Sequence, residues 1–342
     1  MSRMLFSIAF FFVLCGFACT ACAKRPAEIF DPTEAAKDPD FKIQGEYVGQ
    51  GTWADGADAK AGAQVIALGN GQFNVVVTKG GLPGDGWKRG DARFSLTGRR
   101  DGDVTVLTGN GMSGKIAAGV MMVVSAAVKI DMTVSAAVKF GRTKLDLKRT
   151  ERHSPTEGAK PPEGAKVLFD GTTAEKFEPG VLLPNKNLLQ GGTTKDKFTD
   201  YTLHLEFRLS YAPTARGQAR CNSGVYLHDC YEIQVLDSFG LEGKADECGG
   251  FYQLREPDVN MCFPPLTWQT YDVKFTAPKY EGGKKTANAK VEVRHNGVLI
   301  HPEFELAHNT PGRQGEGPAP RPIYLQDHAG DHVEFRNVWV KE

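Results

Sequence analysis

The stretch NSGVYLHDCYEIQVLDSFG, residues 222–240, predicts two short strands that meet at His228 and Asp229. In the second strand, apolar side chains alternate with polar ones, as they do in an antiparallel strand with one buried face. The apolar positions are Tyr231, Ile233 and Val235. The alternation places Glu232 and Gln234 side by side on the opposite face. The stretch therefore predicts a β-hairpin that directs one carboxylate and one amide to the same place.

Composition suits a β-rich protein with two domains. The chain has 342 residues, enough for two domains of ordinary size, and its 39 glycines suit strands joined by tight turns. Its 41 basic residues balance 41 acidic ones. The balanced charge gives no indication of a nucleic-acid partner or of binding to an anionic membrane surface.

The first residues predict a signal peptide, residues 1–23. A basic start at Arg3 precedes the apolar run MLFSIAFFFVLCGFACTA, and the small residues ACA form a cleavage site before Lys24. A retained membrane anchor is disfavoured, because the run is short and is interrupted by Cys and Gly. Cys19 and Cys22 each follow Ala, so a lipid anchor and cell-surface association stay open. We expect an exported protein, periplasmic or extracellular.

The rest of the chain divides into four parts. Residues 24–44 are polar and contain Pro without periodicity, which predicts a flexible tether. Residues 45–150 predict a smaller β-rich accessory domain, with hairpins such as AQVIAL and FNVVVT around GNGQ. The charged, Pro- and Gly-rich residues 151–164 predict a linker. Residues 165–342 form a longer block of strand patterns.

Two motifs in the accessory domain have ordinary structural explanations. GNGMSG, residues 109–114, matches G-x-G-x-x-G, but a dinucleotide site needs a βαβ unit around it. Its glycines are therefore assigned to turns. VSAAVK occurs at 124–129 and again at 134–139, which predicts two neighbouring strands rather than a repeat protein.

The block from residue 165 predicts a β-sandwich. It contains seven or more strand patterns, among them YTLHLEFRL, WQTYDVKFTA and HVEFRNVWVK, and no long amphipathic helix. Asn296-Gly297 is a strong signal for a tight turn within it. The predicted fold class is all-β, with a C-terminal sandwich preceded by a smaller N-terminal β domain.

Four strands of this block have a polar face of unusual composition. The polar positions are His204, Glu206 and Arg208; Glu232 and Gln234; Tyr324, Gln326 and His328; and Glu334 and Arg336. For any single strand, a face turned to solvent is the expected explanation. Solvated faces are usually Lys, Thr, Ser and Glu, whereas Gln, His, Tyr and Arg make directional hydrogen bonds and stack on rings. Together the four faces favour a sugar-binding groove.

This groove lacks the obvious carboxylate pair of a glycosidase. Hydrolysis by two carboxylates needs them about 5–9 Å apart across the bond. Gln234 follows Glu232 on the same face, and Asp237 falls on the opposite face. Glu206 or Glu334 could be the second group only if the fold brings it close.

Four stretches resemble successive parts of the 3-keto-disaccharide hydrolase family, also described as 3-keto-glucoside lyases and hydratases. They are NSGVYLHDCYEIQVLDSFG, ECGGFYQLREPDVNMCFPPLTWQTYDVKFTAP, ANAKVEVRHNGVLIH and RPIYLQDHAGDHVEFRNVWVK. The resemblance covers residues 164–342 and implies a concanavalin A-like jelly-roll sandwich. It also implies a substrate with a ketone at C3, from which a single base removes the C2 proton before the C1 group leaves. Such chemistry needs one carboxylate rather than two.

The resemblance and the strand faces together suggest roles. Glu232 is the candidate base, His328 the alternative base or the acid, and Arg336 a donor to the enolate. The candidate substrate contacts are Asn222, Gln234, Tyr324, Gln326, Glu206 and Arg208. The expected partner is an oligosaccharide or glycoside, cleaved by elimination and hydration or by net hydrolysis.

Cysteine and histidine positions add two predictions. Cys248 and Cys262 flank a loop rich in Gly and Pro, which favours a disulfide between them in an oxidising compartment. His328 and His332 are candidate ligands of a divalent metal, although a polar turn explains the same loop at least as well.

Two other functions stay open. A non-catalytic carbohydrate-binding sandwich would bind sugar without releasing a product. An ordinary two-carboxylate glycoside hydrolase would cleave unoxidised glucosides, which the Glu-x-Gln strand argues against.

Overall fold

The computed structural model describes residues 27–125, 142–328 and 330–342. The predicted signal peptide and most of the VSAAVK repeat lie outside these ranges. The described part consists of two short helices, a closed barrel and a two-sheet sandwich. None of its helices is long and apolar enough to cross a membrane.

The barrel is built from the strands between Gly45 and Thr150. These are β1 (Gly45–Thr52), β2 (Asp58–Gly69), β3 (Gln72–Lys79), β4 (Leu82–Pro83), β5 (Gly86–Trp87), β6 (Arg93–Asp101), β7 (Val104–Gly109), β8 (Met112–Ala117), β9 (Val120–Ser125) and β10 (Lys144–Thr150). All except the short pair β4 and β5 close in the order β1-β10-β9-β8-β7-β6-β3-β2. Inward side chains such as Tyr47, Phe73 and Leu147 fill the interior. The barrel therefore encloses a packed core.

Residues 28–44 are not the flexible tether that the sequence predicts. They contain α1 (Pro32–Ala35) and α2 (Pro39–Ile43), each with an Asp N-cap and a Pro at its start. Asp40 accepts the Gly71 N–H at 2.7 Å and pairs with Arg100 of β6 at 2.9 Å. The prediction failed because this segment is held by hydrogen bonds and ion pairs, which leave no apolar periodicity in the sequence.

The sandwich contains the remaining strands. These are β11 (Lys166–Phe169), β12 (Phe177–Glu178), β13 (Leu188–Leu189), β14 (Thr193–Thr194), β15 (Tyr201–Leu209), β16 (Asn222–Leu227), β17 (Tyr231–Leu236), β18 (Trp268–Thr276), β19 (Lys279–Glu281), β20 (Lys284–Ala287), β21 (Ala289–His295), β22 (Val298–Leu306), β23 (Tyr324–Leu325) and β24 (Val333–Lys341). One sheet has the order β11-β24-β15-β18-β21-β22, with β13 also on β24, and the second has the order β12-β14-β23-β16-β17. We call them the back sheet and the front sheet. The predicted all-β fold, with a jelly-roll sandwich after a smaller β domain, is confirmed.

The predicted hairpin is confirmed and belongs to the front sheet. β16 pairs antiparallel with β17, and Tyr226 lies opposite Glu232. The turn residues His228 and Asp229 have φ of 51° and 54°, the left-handed conformation that such turns require. Tyr231, Ile233 and Val235 of β17 face the core between the two sheets. Glu232 therefore faces away from the core, on the outer surface of the front sheet.

The segment predicted as a linker lies on the outer surface of the back sheet. The Gly158 N–H donates to Glu206 at 2.6 Å, and Ser154 Oγ lies 2.7 Å from Thr270 Oγ1. Polar residues of the back sheet are thus covered by the protein's own chain. They lie on the opposite side of the sandwich from Glu232.

The barrel packs against the sandwich. Ile66 of β2 and Val76 of β3 join the apolar core that the sandwich builds. Gly240 lies so close to Ile66 that a Cβ atom there would come within 2.5 Å of the Ile66 Cδ1 atom. The segment between β17 and β18 therefore lies between the two units.

Candidate active site

A small pocket of about 120 Å3 opens on the outer surface of the front sheet. It is lined by residues of β16, of β17, of the chain after β23, and of three connecting segments: Gln218, Asn222, Tyr226, Glu232, Gln234, Tyr252, Pro311, Gly312, Gln326 and His328. The structure thus brings together five of the residues that the sequence predicts for a site: Asn222, Glu232, Gln234, Gln326 and His328.

Glu232 is the carboxylate of the pocket and is almost completely buried, with 2% of its surface exposed. Tyr226 Oη donates to Glu232 Oε2 at 2.7 Å, and the Glu232 N–H donates to Thr310 Oγ1 at 2.9 Å. Burial raises the pKa of Glu232 to about 7, although the Tyr226 hydrogen bond acts in the opposite direction. Gly224 on β16 leaves room for this carboxylate, since a Cβ there would lie 2.3 Å from Glu232 Oε1.

Amide side chains form much of the rest of the pocket. Gln218 Oε1 accepts from Asn222 Nδ2 at 2.8 Å and from Gln234 Nε2 at 3.3 Å. Gln326 Nε2 donates to Tyr226 Oη at 3.3 Å. Within the described chain, the buried oxygens Asn222 Oδ1 and Gln326 Oε1 have no hydrogen-bond partner. Because buried polar atoms usually have partners, these acceptors suit the hydroxyl groups of a bound sugar.

His328 reaches the pocket from the segment after β23. Its Nδ1 lies 2.9 Å from Asp331 Oδ2, so a carboxylate acceptor holds the proton on Nδ1. The Asp331 N–H also donates to the His328 carbonyl at 3.0 Å, which closes the turn between them. This arrangement leaves Nε2 of His328 as an acceptor.

The pocket includes residues that sequence reasoning missed. Tyr226 shares the strand face of Asn222 at a spacing of four residues, so the alternation of β16 contained a signal for it. Tyr252 joins the wall because its N–H donates to the Glu232 carbonyl at 3.2 Å. Gln218 and Gly312 come from irregular segments, whose positions no sequence period predicts.

Three predicted site residues lie on the back sheet and not in the pocket: Glu206, Arg208 and Arg336. Arg336 Nε donates to Glu206 Oε2 at 2.6 Å, and Arg208 pairs with Glu334 at 2.8 Å. Burial would raise the pKa of Glu206, but hydrogen bonds from His204, Asn337, the Gly158 N–H and Arg336 lower it to about 2. The predicted substrate contacts at Glu206 and Arg208 and the predicted enolate donor Arg336 are therefore wrong, because none of them lines the pocket. Strand alternation was correct, but β15 and β24 belong to the other sheet.

Tyr324 lies beside the pocket without lining it. Its ring lies 5.8 Å from the ring of Tyr226, and the Arg313 guanidinium lies 4.0 Å above it. Arg313 also forms an ion pair with Asp229 at the hairpin turn. Tyr324 thus packs beside Tyr226, which lines the pocket.

The histidines predicted as metal ligands do not meet. His332 Nε2 lies 3.0 Å from Glu334 Oε1, on the side of the back sheet, whereas His328 faces the pocket. Across residues 27–125, 142–328 and 330–342, no group of three or more His, Cys, Asp or Glu side chains could hold a metal ion.

The predicted disulfide is not formed. Cys248 and Cys262 are both free thiols in the core. Cys248 Sγ lies 3.3 Å from Tyr271 Oη, and Cys262 Sγ lies 3.5 Å from the Leu236 carbonyl. Hydrogen bonds thus satisfy both sulfur atoms as thiols, which the loop composition did not indicate.

Comparison with known proteins identifies the sandwich. Residues 164–341 match the family described as the 3-keto-alpha-glucoside-1,2-lyase-like domain, which is more than half of the chain. The chain belongs to this family. Its lyase-like domain is thus a carbohydrate-active domain, and the pocket described above lies within it.

The solved structures that resemble the chain include three provisionally assigned glycosyl hydrolases of Parabacteroides distasonis ATCC 8503. The first is 29% identical, with a TM-score of 0.48, and covers 53% of this chain and 84% of its own. The second is 18% identical, with a TM-score of 0.38 and coverages of 52% and 94%. The third is 22% identical, with a TM-score of 0.37 and coverages of 52% and 98%. No curated protein matches the chain.

Proposed function

We propose that the protein cleaves 3-keto-glycosides by removing the C2 proton and eliminating the C1 leaving group, after which water adds. The observation that carries this proposal is a single buried carboxylate, Glu232, without a second one among the described residues that line the pocket. Hydrolysis by two carboxylates needs a partner about 5–9 Å away. Elimination next to a ketone needs only one base.

The first step is transfer of the C2 proton. The C3 ketone acidifies this proton, because the electron pair left on C2 is delocalised onto the C3 oxygen. Glu232, with a pKa of about 7, is a stronger base than an ordinary carboxylate and is still partly ionised at neutral pH. Gln326 Nε2 lies beside it and is the proposed donor to the enolate oxygen, and Tyr226 Oη becomes a second donor once Glu232 has taken the C2 proton and no longer needs the Tyr226 hydrogen bond.

The second step breaks the C1–O bond. The C3 carbonyl forms again, a double bond forms between C1 and C2, and the leaving oxygen takes a proton. His328 Nε2, with the ring oriented by Asp331, is the proposed relay: it accepts the proton that Glu232 took from C2 and donates it to the leaving oxygen, which returns Glu232 to its carboxylate form. The product is a 3-keto-2-hydroxyglucal; water then adds its hydroxyl to C1 and a proton to C2, which completes a net hydrolysis.

The pocket amides are proposed to hold the sugar ring. Asn222 Oδ1 and Gln326 Oε1 are the two acceptors without a protein partner, and each could accept from a sugar hydroxyl. Gln234 and Gln218 are held by each other and add further donors and acceptors. The ring of Tyr252, in the wall, offers a surface for the sugar face.

The test uses a chromogenic 3-keto-glucoside and its unoxidised parent, each with and without a chelator. We expect release from the keto substrate alone. Glu232→Gln should lower kcat/KM by roughly 10²–10⁴, the usual contribution of a general base. Glu303→Gln is the matched control, because Glu303 is an exposed glutamate of β22, outside the pocket.

Each other outcome points to a different function. Near-normal turnover by Glu232→Gln would remove Glu232 from the role of base. Release from the parent glucoside would favour an ordinary glycoside hydrolase, and saturable binding without release would favour a binding module. Chelator sensitivity would indicate a metal at His328.

Export is also part of the proposal, and it rests on the signal peptide predicted for residues 1–23. A periplasmic or extracellular enzyme would meet glycosides from outside the cell. Fractionation of cells that express the full chain would test this, with cell-surface association and lipid anchoring as separate outcomes.

A further inference from the structure

A second cavity, of about 340 Å3, lies where the barrel, the segment before it and the back sheet meet. Its walls come from α2 and the start of β1, from the end of β10 and the chain after it, and from the chain that leads into β18. Among the described residues, none lines both this cavity and the active-site pocket. Its volume is within the range of small-molecule sites, which often lie between domains.

Part of the cavity wall is apolar and aromatic. It is formed by Phe41, Pro264, Pro265, Leu266 and Trp268. Trp268 lies opposite Arg208 in the pairing of β18 with β15, and the Arg208 guanidinium lies 5.1 Å from its ring. This wall therefore belongs to the outer surface of the back sheet, on the opposite side of the sandwich from Glu232. An apolar wall with aromatic rings suits the C–H face of a ring-shaped ligand.

The charged side chains of the wall are already paired with one another or with a neighbour. The pairs are Arg152–Glu46 at 2.6 Å, Arg149–Glu151 at 3.4 Å, Arg336–Glu157 at 2.7 Å and His153–Glu157 at 3.3 Å. Arg152 uses both Nε and Nη2 on the two carboxylate oxygens of Glu46. Because each charge has an opposite partner, the wall favours a neutral ligand over an ion.

Gln44 supplies a hydrogen-bond donor that has no partner within the described chain. The side chain lines the cavity and has 2% of its surface exposed. Its Oε1 accepts the Ala67 N–H at 3.0 Å, and its carbonyl accepts from Arg149 Nη2 at 3.1 Å, so the residue is held in place. Its Nε2 makes no hydrogen bond. Since buried polar atoms usually have partners, this N–H group suits an oxygen atom of a bound ligand.

We propose that this cavity is a second, non-catalytic site, which binds a neutral mono- or disaccharide. Gln44 Nε2 donates to a sugar oxygen, and the wall that contains Trp268 packs on the apolar face of the sugar ring. A saccharide combines the three properties that the cavity selects: no charge, hydroxyl oxygens and an apolar ring face. The family domain that forms part of the wall is itself carbohydrate-active. The proposal does not depend on 3-keto chemistry, because the ligand is bound and not cleaved.

Tryptophan fluorescence reports on this cavity, because Trp268 is the one tryptophan among the described residues that line it or the active-site pocket. The probes are glucose, maltose, cellobiose and trehalose, which are neutral and carry no ketone at C3. We expect at least one of them to change the fluorescence of the purified protein saturably. Trp268→Phe should abolish the fluorescence change, while calorimetry should still detect binding, because Phe keeps an aromatic ring.

Two further variants test the cavity by calorimetry. Gln44→Met keeps the length of the side chain and removes the donor, so the affinity should fall roughly tenfold or more. Gln72→Met is the matched control, because Gln72 is an exposed glutamine of β3, outside the cavity. Thr267→Phe adds a ring inside the cavity and should abolish binding, which keeps the test decisive if Gln44→Met does not fold.

The possible results separate this proposal from the proposed function. The absence of a saturable response to all four saccharides, up to their solubility limits, would overturn the second site. Equal affinities of Gln44→Met and Gln72→Met, or full affinity in Thr267→Phe, would also overturn it. A response that is lost in Glu232→Gln would assign the binding to the active-site pocket instead. A protein that is inactive on 3-keto-glucosides would overturn the proposed function, while saccharide binding at this cavity would still be decided by the variants.

Discussion

Three buried glutamates differ in protonation because their neighbours differ. Glu206 and Glu334 are buried, and burial would raise their pKa values, but cationic and amide donors lower both to about 2. Glu232 is equally buried, and its pKa rises to about 7 because Tyr226 is the one side chain that offsets the burial. A carboxylate whose pKa is raised in this way binds a proton more tightly than an ordinary one, so it is a more effective base.

The raised pKa of Glu232 predicts how stability depends on pH. Because the folded protein holds this proton more tightly than the unfolded chain, Glu232 favours folding at low pH, and this contribution is lost as pH rises from about 4.5 through 7. Gln has no such dependence. Glu232→Gln should therefore gain up to about 3 kcal/mol relative to wild type at pH 8 and show little gain at pH 4.

Thermal melting of both proteins at the two pH values checks this prediction. A gain of the same size at pH 4 and pH 8 would mean that packing, and not the ionisation of Glu232, causes it.

At the scale of elements, the pocket depends on a strand edge that the barrel supports. Gly249 N–H donates to the Gln234 carbonyl at 3.0 Å, and Gln234 N–H donates to the Gly250 carbonyl at 2.8 Å. This pairing holds the segment just before Tyr252 along the edge of β17, and Tyr252 itself lines the pocket. Arg89, from the barrel chain between β5 and β6, donates to the carbonyls of Gly243 and Pro257 at 2.9 Å.

Arg89→Ala should loosen this wall. The loss of charge-assisted hydrogen bonds to a loop should destabilise the protein by about 1–2 kcal/mol, because Arg89 is partly exposed. A loss of about 1 kcal/mol in substrate binding would raise KM about fivefold, with a smaller effect on kcat. Arg99→Ala, an exposed position on β6, is the control, and equal KM values in the two variants would contradict the supporting role.

For the molecule as a whole, buried neutral histidines limit stability in acid. Burial lowers the pKa of His228 and His301 to about 4 and that of His295 to about 3. In the unfolded chain the same groups take up a proton near pH 6.5. Each group therefore contributes stability above about pH 6.5 that is lost as pH falls toward 4.

Urea unfolding at pH 7.5, 6 and 5 should show this loss, with about 2 kcal/mol per histidine gone by pH 5. His301→Gln removes one titrating group and keeps a donor to the Gly249 carbonyl, which His301 Nε2 contacts at 2.7 Å. This variant should lose roughly a third less stability between pH 7.5 and pH 5. An unchanged loss would show that His301 is already protonated in the native state.

The sequence by itself determined what depends on neighbouring residues along the chain. Strand alternation and turn residues predicted the hairpin at His228-Asp229 and the turn at Asn296-Gly297, whose φ values of 50° and 77° suit a tight turn. The same alternation placed Glu232 and Gln234 on one face, and both line the pocket. Side chains in a strand alternate with a period of two, so this information is local.

The tertiary structure alone decided which faces meet. Alternation separates the two faces of one strand but does not say which sheet the strand joins, so Arg336 and Glu206 were grouped with Glu232 although they lie on the opposite sheet. Gln218 and Tyr252 reach the pocket on irregular segments, and Glu28 accepts from the His332 N–H across about 300 residues of sequence. Such contacts arise from packing between distant segments, which leaves no periodic pattern in the sequence.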